Sequence, residues 1–296
     1  NEFTQSIITK THNVDKTIAY WTREKMLTAK PLHSPSKEFI FRNKTINSGE
    51  KNSFFTVASD LIKSESEVNA PYSVEIKSES EVNTPLPVGI LFFTLHNDDY
   101  TCTASVITTK NGNTGITAAH CLYSDGEYSE NVMFCPGYNN GTESFLGKIV
   151  VAKTSVPDTY IDFDDDDYGG LKFYFNGSLQ WETGAFGWGI NPPDQVSIVV
   201  FGYPADGDMN CTRNGDTCCT WRGNATLITN QTNYPPLRMV SAYLGVGSSG
   251  GPWLIRYESP THDLGYLIGI TAFHFGEHDE YSDVLNFTLV NQLTNW

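Results

Sequence analysis

With 296 residues, 39% of them hydrophobic, the chain can bury one large core or two moderate ones. Its 19 Lys/Arg against 34 Asp/Glu leave a net charge of −15, which repels nucleic acid and anionic membranes, so neither is expected as a partner. No stretch approaches the roughly 18 apolar residues that a membrane helix needs, and the chain reads as soluble.

Residues 1–85 form one compositional unit, rich in Lys, Ser, Thr, Glu and Asn, without Cys, and formally neutral at 11 Lys/Arg and 11 Asp/Glu. Asn1-Glu2-Phe3-Thr4 lacks the basic-then-apolar pattern of a leader, so any leader is expected to have been removed or to lie outside this sequence. Apolar groups are short, such as Ile18-Ala19-Tyr20-Trp21. The decapeptide Ile62–Pro71 recurs as Ile76–Pro85 with one change, Ala70 to Thr84. Two such copies are too few and too small for a solenoid and read as a duplicated, cleavable linker.

From residue 86 the texture changes, and this part carries the whole net charge, 8 Lys/Arg against 23 Asp/Glu. Short β-type runs follow one another: Val88–Thr94, Ala104–Ile107, Gly147–Val151 and Val196–Phe201. Gly, Asn, Asp and Pro turns separate them, as at Asn111-Gly112 and Asn140-Gly141. Many short strands broken by turns predict an all-β barrel or sandwich. Only Ser282–Trp296, with Val284, Leu285, Leu289 and Leu293 on one side, predicts a short helix.

Six Cys and seven Asn-x-Ser/Thr sequons, at Asn43, Asn140, Asn176, Asn210, Asn224, Asn230 and Asn286, point to an oxidising, glycosylating route and hence to a secreted, extracellular protein.

Three motifs carry chemistry. Gly115-Ile116-Thr117-Ala118-Ala119-His120-Cys121 places a His after small residues and beside a Cys. A bridge from Cys121 to Cys102 would hold a general base in orientation. Asp167-Tyr168-Gly169-Gly170-Leu171-Lys172-Phe173 closes the acidic run from Asp162 and directly precedes a strand. The rest of that run reads as a solvated loop. Gly247-Ser248-Ser249-Gly250-Gly251-Pro252 supplies a hydroxyl on a glycine-rich turn, with the N–H groups of Gly247 and Ser249 as candidate oxyanion donors.

Taken together, in the order His, Asp, Ser, these motifs resemble the trypsin/chymotrypsin superfamily over about residues 86–290, with spacings of 47 and 82 residues. The resemblance implies two packed six-stranded antiparallel β-barrels, about 86–180 and 181–296, with a short C-terminal helix and an N-terminal extension. It implies a serine endopeptidase in which His120, Asp167 and Ser249 form the triad. Within the superfamily the chain looks similar to secreted microbial and fungal proteins related to glutamyl endopeptidases. Pro87–Phe93 and Phe201-Gly202-Tyr203-Pro204 carry that likeness, and Tyr20–Met26 with Ala29-Lys30-Pro31-Leu32 resembles the group's pro-segment.

Departures bear on activation and specificity. Ser248 stands where animal trypsins carry an Asp, and no Ile-Val-Gly-Gly start occurs near residue 86, so activation by a new N-terminal ammonium is not expected. Residues 1–85 are instead expected to act as a pro-segment or a stabilising extension. Tyr243 replaces the Asp with which trypsins bind Lys or Arg, which argues against a trypsin-like preference. Leu244, Ala272, Phe273 and His274 complete the expected substrate-binding wall, leaving glutamyl, aromatic and mixed preferences open. Ala272 also removes a hydroxyl that family members offer to the catalytic Asp. Among the other Cys, Cys211 is expected to pair with Cys218 or Cys219, leaving the remaining one for Cys135.

No cofactor and no metal is implied, and the expected partners are protein or peptide substrates of a monomer. A catalytically silent binding module and an esterase on the same fold are the alternatives. The intact triad favours an enzyme over the first, and the second would use the same residues.

Overall fold

The computed structural model describes residues 6–35, 54–55, 84–190, 192–229, 235–260, 264–275 and 278–295. Asn43, Asn230, Trp296 and nearly all of the duplicated decapeptides lie outside the described residues.

The N-terminal part forms β1 (Ile7–Thr11), α1 (Val14–Tyr20), α2 (Arg23–Thr28), β2 (Lys30–Pro31) and β3 (Phe54–Phe55). Six further strands build the first barrel: β4 (Val88–Leu95), β5 (Asp98–Val106), β6 (Thr114–Thr117), then, after the small hairpin β7 (Tyr123–Ser124) and β8 (Glu127–Tyr128), β9 (Glu130–Pro136), β10 (Ile149–Pro157) and β11 (Gly169–Phe173). The order β10-β11-β6-β5-β4-β9 closes because β9 pairs back onto β10, so no edge is left except where β1 adds to β10 and β2 to β5. Strand β4 is buried on both faces, which explains its nearly unbroken apolar run. Trp21 packs on Phe92 from outside the barrel, ring centroids 5.4 Å apart.

After α3 (Asp158–Phe163) and α4 (Leu179–Thr183), the second sheet comprises β12 (Gly187–Ile190), β13 (Gln195–Gly202), β14 (Cys219–Ile228), β15 (Leu237–Val240), β16 (Pro252–Ile255), β17 (Tyr266–Ile270), β18 (Phe273–Phe275) and β19 (Asp279–Asp283). Its order is β18-β19-β15-β14-β13-β16-β17-β12-β3. This sheet is a half-barrel where the sequence predicts a second closed one. One chain run, kinked at Thr271-Ala272, supplies both β17 and β18 and splits its pairing between β16 and β19. The fold is otherwise as expected: mostly β, two barrel-like sheets, few helices and a short C-terminal helix.

That helix, α5 (Phe287–Thr294), starts five residues later than the sequence predicts. Strand β19 holds the chain through Asp283, and the Asn286 side chain caps the helix by accepting from the N–H groups of Thr288 and Leu289. Leu289 and Leu293 are buried as expected, and the Leu293 carbonyl accepts from Ser155 Oγ on β10. Among the described residues no helix is long and apolar enough to cross a membrane.

Cys102 and Cys121 are bridged, with Cα atoms 6.5 Å apart. Cys211 pairs with Cys219, but Cys135 and Cys218 are both free and buried, which corrects the expected last bridge. Each thiol fills a core position as a small apolar group, and burial raises both, Cys218 to about 12. The sequon residues Asn140, Asn176, Asn210, Asn224 and Asn286 are exposed.

Candidate active site

Small residues end β6 so that the chain can turn sharply into the 3-10 segment Ala119–Cys121, which carries His120. The bridge to Cys102 on β5 and the Ser129 hydroxyl on the Cys121 carbonyl (2.8 Å) fix that turn. Pairing of β11 with β6 sets Gly169 opposite Thr117, so the chain just before β11 runs beside His120. A Cβ on Gly169 would lie 2.6 Å from Leu122 and 2.9 Å from the Ser155 carbonyl, so only glycine allows this approach.

The register delivers Asp167 to His120. One carboxylate oxygen accepts from the His120 backbone N–H at 2.9 Å and the other lies 2.8 Å from Nδ1. Asp167 is wholly buried and His120 is 3% exposed, so this contact is dry. A carboxylate only accepts, which places a proton on Nδ1 and leaves Nε2 as the ring's base. Nε2 is buried and has no hydrogen-bond partner among the described residues. The Asp167 backbone N–H donates to Asp283 Oδ2 at 2.9 Å, so β19 also holds this loop. The acidic run is solvated only in part: Asp162 and Asp164 are exposed, whereas Asp165 is buried and Asp166 accepts from the hydroxyls of Thr159 and Tyr168 at 2.7 and 3.2 Å.

Ser249 sits on a turn wedged between the two sheets. The Ser249 carbonyl accepts from the Thr103 N–H on β5 (2.7 Å), and the Gly250 N–H donates to the Thr271 carbonyl at the β17–β18 kink (2.7 Å). Thr117 Oγ1 donates to the Thr103 carbonyl at 2.7 Å, tying the serine turn to the strand that leads into His120. Gly247 adopts φ +92°, and a Cβ there would lie 2.6 Å from the Tyr203 carbonyl. The Ser248 hydroxyl closes the turn on the Gly245 carbonyl at 2.6 Å.

The N-terminal part reaches this turn. From β2, which lies parallel to β5, Leu32-His33-Ser34-Pro35 crosses the serine as a strap. The Gly247 N–H donates to the Leu32 carbonyl (3.0 Å), the Ser34 and Ser249 hydroxyls meet at 3.1 Å, and the His274 N–H donates to the Pro35 carbonyl (3.2 Å). The sequence carries no signal for Ser34, because a serine in a polar stretch looks like any other.

The expected substrate-binding residues are only partly brought together. The Tyr243 and His274 rings meet edge-on, centroids 5.6 Å apart. Leu244 is buried, and its N–H approaches Glu280 Oε2 at 3.4 Å. Ala272 is buried, and Phe273 turns into a small core where it stacks on Tyr281 with centroids 5.8 Å apart. Glu280 lies opposite His274 and beside the Leu244 N–H; the sequence carries no signal for it, since Asp279-Glu280 resembles an exposed acidic turn. The ring of His120 and the sulfurs of Cys102 and Cys121 also cluster within 4.8 Å, but both sulfurs are used in the bridge, so no thiolate is available to a metal.

These features define a trypsin/chymotrypsin-like fold with a buried His–Asp pair beside a glycine-rich serine turn. Solved structures agree. The protease Anisep from Arthrobacter nicotinovorans is 27% identical, with a TM-score of 0.61, over 72% of this chain and 96% of its own. The thermostable serine protease AL20 from an extremophilic microorganism is 22% identical, with a TM-score of 0.60, over 71% and 95%. A Glu endopeptidase is 19% identical, with a TM-score of 0.52, over 71% and 90%. No protein-family model and no curated protein matches the chain. The likeness to serine proteases supports a protease function.

Proposed function

We propose that the chain is a secreted serine endopeptidase that hydrolyses peptide bonds through an acyl-enzyme, with His120, Asp167 and Ser249 as its triad. The observation that carries this reading is the buried His120–Asp167 pair, which leaves Nε2 as a base without a partner among the described residues. In the proposed reaction Ser249 Oγ attacks the substrate carbonyl carbon while His120 Nε2 takes its proton. The N–H groups of Gly247 and Ser249 hold the resulting oxyanion. The C–N bond then breaks as His120 returns the proton to the leaving amine, and water repeats the sequence on the ester. Asp167 holds the ring and stabilises the imidazolium.

The strap supports the reading of residues 1–85 as a pro-segment. Leu32 takes up a donor that the oxyanion would need, and Ser34 engages the nucleophile. Cleavage in the duplicated linker would free the strap to leave. The disulfides and the exposed sequon residues support passage through a secretory route. The substrates are proteins or peptides, acted on by a monomer. The test is casein hydrolysis by the secreted chain and by Ser249→Ala. A variant that kept a near-normal rate would remove Ser249 from the chemistry.

A further inference from the structure

Glu280 is a buried carboxyl that the triad does not use and that one long hydrogen bond ties to the fold. On β19 it lies directly opposite His274 of β18 and Val240 of β15, so the three side chains share one face. It is fully buried; Oε2 takes the Leu244 N–H at 3.4 Å, and Oε1 has no hydrogen-bond partner among the described residues. Buried acids are ordinarily paired, because an uncompensated carboxylate in a dry site is strongly unfavourable. This one sits under the segment Tyr243–Ser248, which leads straight into Ser249. Two more carboxylates hold the same segment: Asp206 Oδ1 accepts from the Val246 N–H (2.8 Å) and Asp208 Oδ2 from the Tyr243 N–H (2.9 Å).

We infer that Glu280 is the specificity-determining residue of the substrate pocket and selects a Lys or Arg side chain immediately before the scissile bond. The inference rests on the peptidase reading above. An ammonium or guanidinium would give Oε1 the donor it lacks, while the Tyr243 ring lines the path of its aliphatic stem. Burial, opposed by the Leu244 N–H and reinforced by the like charge of Asp206, holds the empty Glu280 well above the usual carboxylate range. An arriving cation reverses that balance, so the pair forms only with the right substrate. A glutamyl side chain would bring a further carboxylate beside those of Asp206 and Asp208, which selects against it. Tyr243 argued against a basic preference in the sequence; here the carboxylate comes from a different strand.

The test uses the full secreted chain, treated by limited proteolysis between residues 56 and 83 and monitored by fluorophosphonate labelling of Ser249. Peptides differing only in the residue before the scissile bond compare Lys, Arg, Phe and Glu. Lys and Arg should exceed Phe and Glu in kcat/KM by about 10²-fold, and Glu280→Gln should collapse that ratio by about the same factor while Glu280→Asp restores part of it. Benzamidine, an amidinium cation, should slow labelling of the wild-type chain, a readout that stands even where Glu280→Gln fails to fold. Labelling with Phe or Glu preferred, or no effect of benzamidine, overturns the role of Glu280 and leaves the peptidase reading standing. No labelling of Ser249 in any form overturns the peptidase reading, and this inference with it.

Discussion

The 2.8 Å contact between His120 and Asp167 decides which ring nitrogen carries the proton, and so which one faces the reaction. Asp167→Asn keeps the shape but can donate to Nδ1 and favour the other tautomer; it is expected to lower kcat by about 10⁴-fold while the fold persists, read from steady-state kinetics beside a circular dichroism spectrum. Ser249→Ala should cost at least about 10⁴-fold in the same assay. These residues are legible in the sequence because each motif is local: small residues before His120, glycine two positions after Asp167, glycines around Ser249. Ser34 and Glu280 are not legible, since both reach the serine turn only through tertiary contacts between segments far apart in the chain.

Among the elements, the N-terminal segment departs most from its sequence texture. Its polar composition, with only short apolar groups, predicts no element there, yet β1 extends the first barrel and Trp21 is 1% exposed, its Nε1 donating to the Asn131 carbonyl. A few apolar anchors in a polar stretch escape periodicity arguments, because no repeating pattern marks them. Trp21→Ala should weaken the docking by about 3–5 kcal/mol, and fluorophosphonate should then label Ser249 faster in the uncleaved chain. His12 adds a pH dependence. It is buried against Thr154 Oγ1 at 3.0 Å, and burial first, then Lys10, lowers its pKa to about 4, opposed by Glu130. The unfolded chain binds this proton near 6.5, so stability is lost as pH falls from about 6.5 towards 4, on the order of 3 kcal/mol at the acid end. Hydrogen exchange of β1 should accelerate across that window, and His12→Gln should flatten the response.

At the scale of the molecule, two sheets meet at the serine turn, and closure differs between them because the second spends one strand on two partners at the Thr271-Ala272 kink. Alternating strands and turns reveal the class but not that kink, since Thr271-Ala272 carries no turn residue. Cysteine spacing likewise locates the Cys102–Cys121 bridge through its motif, yet leaves Cys135 and Cys218 to be settled by packing. Alkylation should find no reactive thiol in the folded chain and two after unfolding. In the proposed function Ser249 is an activated nucleophile held under the Leu32–Pro35 strap. The most direct test is titration of the secreted chain with a fluorophosphonate, before and after cleavage in the duplicated linker, with mass spectrometry of the labelled peptide. Labelling is expected to be slow before cleavage and rapid and stoichiometric at Ser249 after it. Absence of labelling in both forms would contradict that role.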